Sequence, residues 1–81
     1  MTHALKTMPE SFSEIKKGVK PFDIRRNDRN FKVSDKVLLQ EHDPAKGYTG
    51  EEWEGTISYI FDDPELCKKG YVVLSLKERE N

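Results

Sequence analysis

The sequence predicts a small α+β domain, mostly β: a barrel of five to six short strands with one helix after the first strand. Three observations carry this. Apolar and polar residues alternate in several separate runs, the longest being Trp53, Gly55, Ile57, Tyr59 and Phe61. Helical spacing occurs once, between the first two runs, so the chain lacks the strand–helix–strand alternation of a doubly wound sheet. With 81 residues the chain fits one domain, residues 1–81, because a chain this short buries only roughly 60% of the surface its unfolded form exposes.

His3, Leu5 and Thr7 alternate with Ala4 and Lys6, which predicts a first strand with Leu5 inward. From Pro9 the period changes. Phe12, Ile15 and Val19 stand at helical spacing, Glu10 and Glu14 come early, Lys16 and Lys17 come late, and Gly18 stands where a helix stop belongs. Behind Pro21, the alternation of Phe22 and Ile24 with Asp23 and Arg25 predicts a second strand with Phe22 in the core and Asp23 and Arg25 sharing the other face. The turn-rich segment 26–30 ends in Phe31 and Val33, Ser34-Asp35 makes a further turn, and Lys36 to His42 predicts a third strand with Val37 and Leu39 on one side.

Residues 43–50, with two glycines and a proline, read as a long polar hairpin loop. The alternating run from 53 to 61 predicts the next strand, with Ile57 in the core. Asp62-Asp63-Pro64 ends it, and residues 66–70 read as a short helical turn or loop. Tyr71 to Leu76 is apolar at consecutive positions, as a strand covered on both faces would be. Residues 77–81 are expected to fray.

Composition excludes several classes. There are 14 Lys and Arg against 15 Asp and Glu, a net charge of −1, so binding nucleic acid by bulk charge is ruled out. One cysteine and two histidines leave too few ligands for a structural zinc site, and no cofactor is called for. The lone Cys67 fits a reducing, cytoplasmic compartment. The apolar runs are far below the roughly 20 residues needed to span a bilayer, and the first residues lack the pattern of a signal peptide. No membrane partner is expected. Charge is nonetheless segregated: residues 16–36 hold eight basic and three acidic groups, whereas residues 41–65 hold one basic and eight acidic. The basic stretch suits an anionic partner.

Within that stretch, Gly18-Val19-Lys20-Pro21-Phe22-Asp23-Ile24-Arg25 resembles the ASCH-domain signature Gly-x-Lys-x-x-Glu-x-Arg, with Asp23 in place of the glutamate. Further landmarks resemble a small bacterial and phage subfamily of ASCH-like proteins. They are His3-x-Leu5-Lys6, Pro9-Glu10-x-Phe12, the run from Asp23 to Asp35, Tyr48-Thr49-Gly50, Ile57-x-Tyr59-Ile60 and Gly70-Tyr71-Val72-Val73-Leu74. The resemblance covers about residues 3–76. It implies a PUA-like β-barrel with a cleft between the first helix and the barrel that binds RNA or a nucleotide.

The residues suit such a ligand. Lys20 follows the helix stop, where a flexible ammonium reaches a phosphate, and Arg25, Arg26 and Arg29 offer planar forks that pair phosphate oxygens or stack on a base. Asp23 is placed to orient Arg25 or to accept from an exocyclic amine or ribose hydroxyl. Tyr48, beside Thr49 in the expected loop, is the aromatic candidate for stacking, because alternating strand aromatics such as Trp53 and Tyr59 usually pack a core. His3 is expected to be a hydrogen-bonded core residue.

Two other readings stand beside a monomeric binding module. An enzymatic ASCH branch removes the acetyl group from N4-acetylcytidine and implies Lys20 as the catalytic lysine. Asp23, however, occupies the place of that branch's threonine, and the later helical region that supplies its carboxylate is missing. The acidic stretch 41–65 alternatively suits a protein-interaction domain. Binding without turnover is the expected role.

Overall fold

Side-chain alternation puts His3, Leu5 and Thr7 inside and their neighbours outside along β1 (Thr2–Thr7), as expected. This holds in the computed structural model, which describes residues 1–80. The remaining elements are α1 (Pro9–Lys16), β2 (Phe22–Arg26), β3 (Lys36–Asp43), β4 (Gly47–Phe61) and β5 (Tyr71–Glu78). The five strands form one sheet in the order β1-β3-β4-β5-β2, with β1 and β3 parallel and every other pair antiparallel. The sheet curls into a half-barrel and α1 packs against β3 inside the curl, giving the mostly β, α+β architecture predicted.

Leu39, Ile57, Leu74 and Val37 form the dry centre of the core, with Phe12 and Ile15 of α1 closing it. Trp53 packs along β4 where the strand changes partners. Its indole lies over Gly55, where a Cβ would overlap the ring and come within 2.7 Å of the Lys77 carbonyl oxygen. At Gly55 the strand passes from pairing with β3, opposite Val37, to pairing with β5, opposite Glu78. His3 is buried, its Nε2 sits 2.8 Å from Asp35 Oδ2, and its ring meets Phe31 edge-on.

The helix ends in a Schellman cap. Gly18 adopts φ +79°, its N–H donates to the Ile15 carbonyl and the N–H of Val19 to the Glu14 carbonyl, both at 3.0 Å. The cap turns the chain away from the helix axis, so Val19 is exposed instead of lining the apolar face.

Five further expectations are corrected. On β2 the faces are inverted: Asp23 is buried and Arg25 half-buried, whereas Phe22 is 39% and Ile24 58% exposed. Register explains this, because Asp23 pairs with Leu74 and Arg25 with Val72, both inward residues of β5, and paired residues share a face. On β4 the register shifts between Ile57 and Tyr59, which leaves Tyr59 60% exposed and Phe61 outside while Trp53 and Ile57 stay buried. The outer face of β5 is accordingly only half-covered. The 43–50 loop is in fact a tight turn, held by Ala45 and Lys46 N–H groups donating to Asp43 Oδ1, and Tyr48 and Thr49 belong to β4. At the C-terminus, Lys77 and Glu78 extend β5, and Arg79 donates to the Glu54 carbonyl and carboxylate. Of the expected frayed tail, Asn81 lies outside the described residues.

Candidate functional site

The local chemistry of the Gly18-x-Lys20 segment follows from the cap. Because Gly18 reverses the chain, Lys20 returns along α1 and its Nζ donates to Ser11 Oγ at 2.5 Å. The same ammonium stands 5.5 Å from the centre of the Phe22 ring. Beside it opens a cleft of about 460 Å³ lined by Met8, Pro9, Glu10, Ser11, Glu14 and Lys20. An ammonium has three donors, and Ser11 takes one. A cation, a hydroxyl and two carboxylates one helical turn apart therefore face one opening, able to offer donors to a phosphate and acceptors to amines or hydroxyls.

Asp23, Arg25 and Arg29 do not line that cleft. Arg25 Nε donates to Asp23 Oδ2 at 2.6 Å, Nη1 to the Lys6 carbonyl at 2.9 Å and Nη2 to Thr7 Oγ1 at 2.9 Å. Arg29 Nη1 donates to the Ala4 carbonyl at 3.0 Å. Lys6 and Ala4 belong to β1, the opposite edge of the sheet, so the two guanidiniums span the seam where the half-barrel would otherwise stay open. A strand edge is a row of unpaired carbonyls, and these side chains occupy two of them.

Arg26 points outward, 5.8 Å from the centre of the Tyr71 ring, and Lys68 Nζ approaches the same ring at 5.3 Å. Tyr48 and Thr49 lie on the β3–β4 hairpin, where Tyr48 packs edge-on against His42 and Thr49 Oγ1 donates to Glu41 at 2.7 Å. This hairpin is acidic. Glu51 accepts from Lys16 Nζ at 2.9 Å and so raises the pKa of that ammonium. Neither Tyr48 nor Thr49 meets Lys20 or an arginine in these contacts.

The structure thus divides the sequence candidates: Lys20 at a cleft, Asp23, Arg25 and Arg29 in the seam, Arg26 on the outer face, and Tyr48 and Thr49 on the hairpin. Ser11, Glu10 and Glu14 were not singled out. The signal that finds them is Gly18, since only a reversal there brings residue 20 back over residue 11. Among the described residues no cluster of His, Cys, Asp or Glu is arranged to hold a metal ion, and no helix is long and apolar enough to cross a membrane.

No curated protein matches the chain. A family profile described as "Domain of unknown function (DUF3850)" matches residues 2–76, which takes in all of β1 to β4, the Lys20 cleft, the seam and most of β5. The chain belongs to the DUF3850 family.

Proposed function

We propose that this chain is an ASCH-like, PUA-like module that binds RNA or a nucleotide derived from it, as a monomer in the cytoplasm, with Lys20 as the anchoring cation. The observation that carries this reading is the placement of Lys20 between an open cleft and an exposed aromatic ring. Its ammonium is held by Ser11, stands near Phe22 and has donors to spare. A phosphate at Lys20 would leave a base or ribose against Phe22 or the acceptors Glu10 and Glu14. With a net charge of −1, only about two to four phosphate contacts are expected, so affinity falls modestly with salt.

The test is titration of the chain with mononucleotides and short RNAs at low salt. Lys20→Ala should weaken binding by about 10- to 150-fold, as for a charge-assisted contact worth about 1.5–3 kcal/mol. Lys17→Ala, which removes the same unit charge from an exposed helix end, should leave binding nearly unchanged. Absence of saturable binding by the wild type refutes the reading.

The Lys20–Ser11 contact favours one second reading, hydrolysis of an N4-acetylcytidine-like nucleoside. Lysine–hydroxyl pairs serve as base and nucleophile in some hydrolases, and Glu10 and Glu14 supply carboxylates at this cleft. Acetate release from N4-acetylcytidine by the wild type, abolished in Lys20→Ala, would establish turnover over simple binding.

A further inference from the structure

The two corrected strand faces coincide. Phe22 and Ile24 of β2 were expected inside, as were Tyr59 and Phe61 of β4, and all four stand on the same outer surface. Tyr59 lies opposite Ser75 and Ser75 opposite Phe22; Phe61 lies opposite Val73 and Val73 opposite Ile24; Tyr71 lies opposite Arg26. These cross-strand rows make one continuous face of β4, β5 and β2 carrying Phe22, Ile24, Tyr59, Phe61, Tyr71 and Val73. Every cation held over an aromatic ring among the described residues is also on it: Lys20 over Phe22, and Arg26 and Lys68 over Tyr71.

We infer that this outer sheet face is a stacking platform for single-stranded RNA, with bases on Phe22, Tyr59 and Tyr71 and phosphates on Lys20, Arg26 and Lys68. The inference deepens the reading of the chain as an RNA-binding module and rests on it. Its argument is one of complementarity. Phe22 and Tyr59 flank Ser75 across β5, about two strand spacings or roughly 10 Å apart, and Tyr71 lies four residues along β5 from that row, roughly 13 Å, so each ring offers its π-face to a separate unstacked base, which a duplex keeps buried in its own stack. The three cations border those rings on the β2 side and at the start of β5. The acids Asp62 and Asp63 follow Phe61 at the end of β4. The cations set the path of the strand, from Lys20 and Phe22, with Tyr59 reached across Ser75 of β5, to Arg26, Tyr71 and Lys68, where Asp62 beside Lys68 and Tyr71 limits it. A second copy of the chain, or an apolar protein partner, has no use for cations over Phe22 and Tyr71.

The probe is a fluorescently labelled single-stranded RNA of about twelve nucleotides, within the range of about 4–16 nucleotides covered by comparable stacking surfaces. It is compared with the same sequence as a duplex and with a mononucleotide. The variants are Tyr59→Ser and Arg26→Gln, both at exposed positions where folding is kept, and circular dichroism checks each. The single strand should bind more tightly than the duplex and the mononucleotide, and Tyr59→Ser should weaken it by about 5- to 150-fold, the range of one lost base stack. Arg26→Gln should weaken it and reduce its salt dependence.

If mononucleotide binding depends on Lys20 but both face variants bind the strand like the wild type, the platform is refuted and the cleft reading stands. If no nucleotide or RNA binds, both fall. Equal affinity for duplex and single strand, or dimerisation of the wild type that Tyr59→Ser abolishes with RNA binding unchanged, also overturns the platform.

Discussion

Arg25 of β2 donates from Nη1 to the carbonyl oxygen of Lys6 on β1 at 2.9 Å, joining two edge strands that are not paired with each other in the sheet. Its Nε simultaneously holds Asp23, whose carboxylate is buried. Two residues of the signature segment are therefore consumed in closing the barrel. Arg25→Ala should destabilise the domain by about 3 kcal/mol, the low end for breaking a buried pair, because it strands the Asp23 carboxylate. Denaturant unfolding checks this. The double variant Asp23→Asn/Arg25→Met should be more stable than Arg25→Ala alone, and equal stability would show that the pair is not coupled.

Gly55→Ala tests the packing of Trp53 against β4. A Cβ there meets the Trp53 indole and the Lys77 carbonyl, so one of them must shift. The expected cost is about 1–3 kcal/mol, read as a fall in Tm. An unchanged Tm would mean that the indole readily moves aside.

Ile57→Ala and Phe22→Ala should part company. Ile57 is fully buried, and its truncation should cost about 2–5 kcal/mol, whereas exposed Phe22 should cost less than about 1 kcal/mol. Equal losses would mean that β2 has its other face inward.

That contrast shows what was legible in the sequence. The helix was readable because its charges, its apolar spacing and Gly18 all agree, and β1 because His3, Leu5 and Thr7 alternate without ambiguity. The face of β2 was not, since a five-residue strand with apolar residues at 22 and 24 looks inward-facing until its register with β5 is known. The half-barrel tolerates Asp23 and Arg25 inside only because they satisfy each other and the edge of β1. Tyr59 was misplaced by a bulge, which adds one residue and leaves no mark in an alternating pattern. Lys20 stands out as a candidate through its signature, but Ser11 lies nine positions away and meets it only through the reversal at Gly18.

Acid should expose the role of Asp35. The hydrogen bond with His3 is the main cause that holds this carboxyl below its usual 3.8, helped by the Lys32 N–H and the N-terminal ammonium and opposed by partial burial. A carboxylate with a depressed folded pKa stabilises the native state above its unfolded pKa, and the contribution disappears as pH falls through the folded value. Melting curves of the wild type and Asp35→Asn should therefore differ above the unfolded value and converge as pH falls through the lowered folded one. A constant difference across that range would show that the ionised form gives no advantage.

The central claim is that Lys20 and the ring beside it form a nucleotide-binding surface, and backbone amide NMR during titration with a short single-stranded RNA tests it most directly. The account predicts saturable shifts at Ser11, Lys20, Phe22 and Tyr71, with the hairpin residues Tyr48 and Thr49 unmoved. No saturable shifts, or shifts confined to the acidic hairpin, would contradict it.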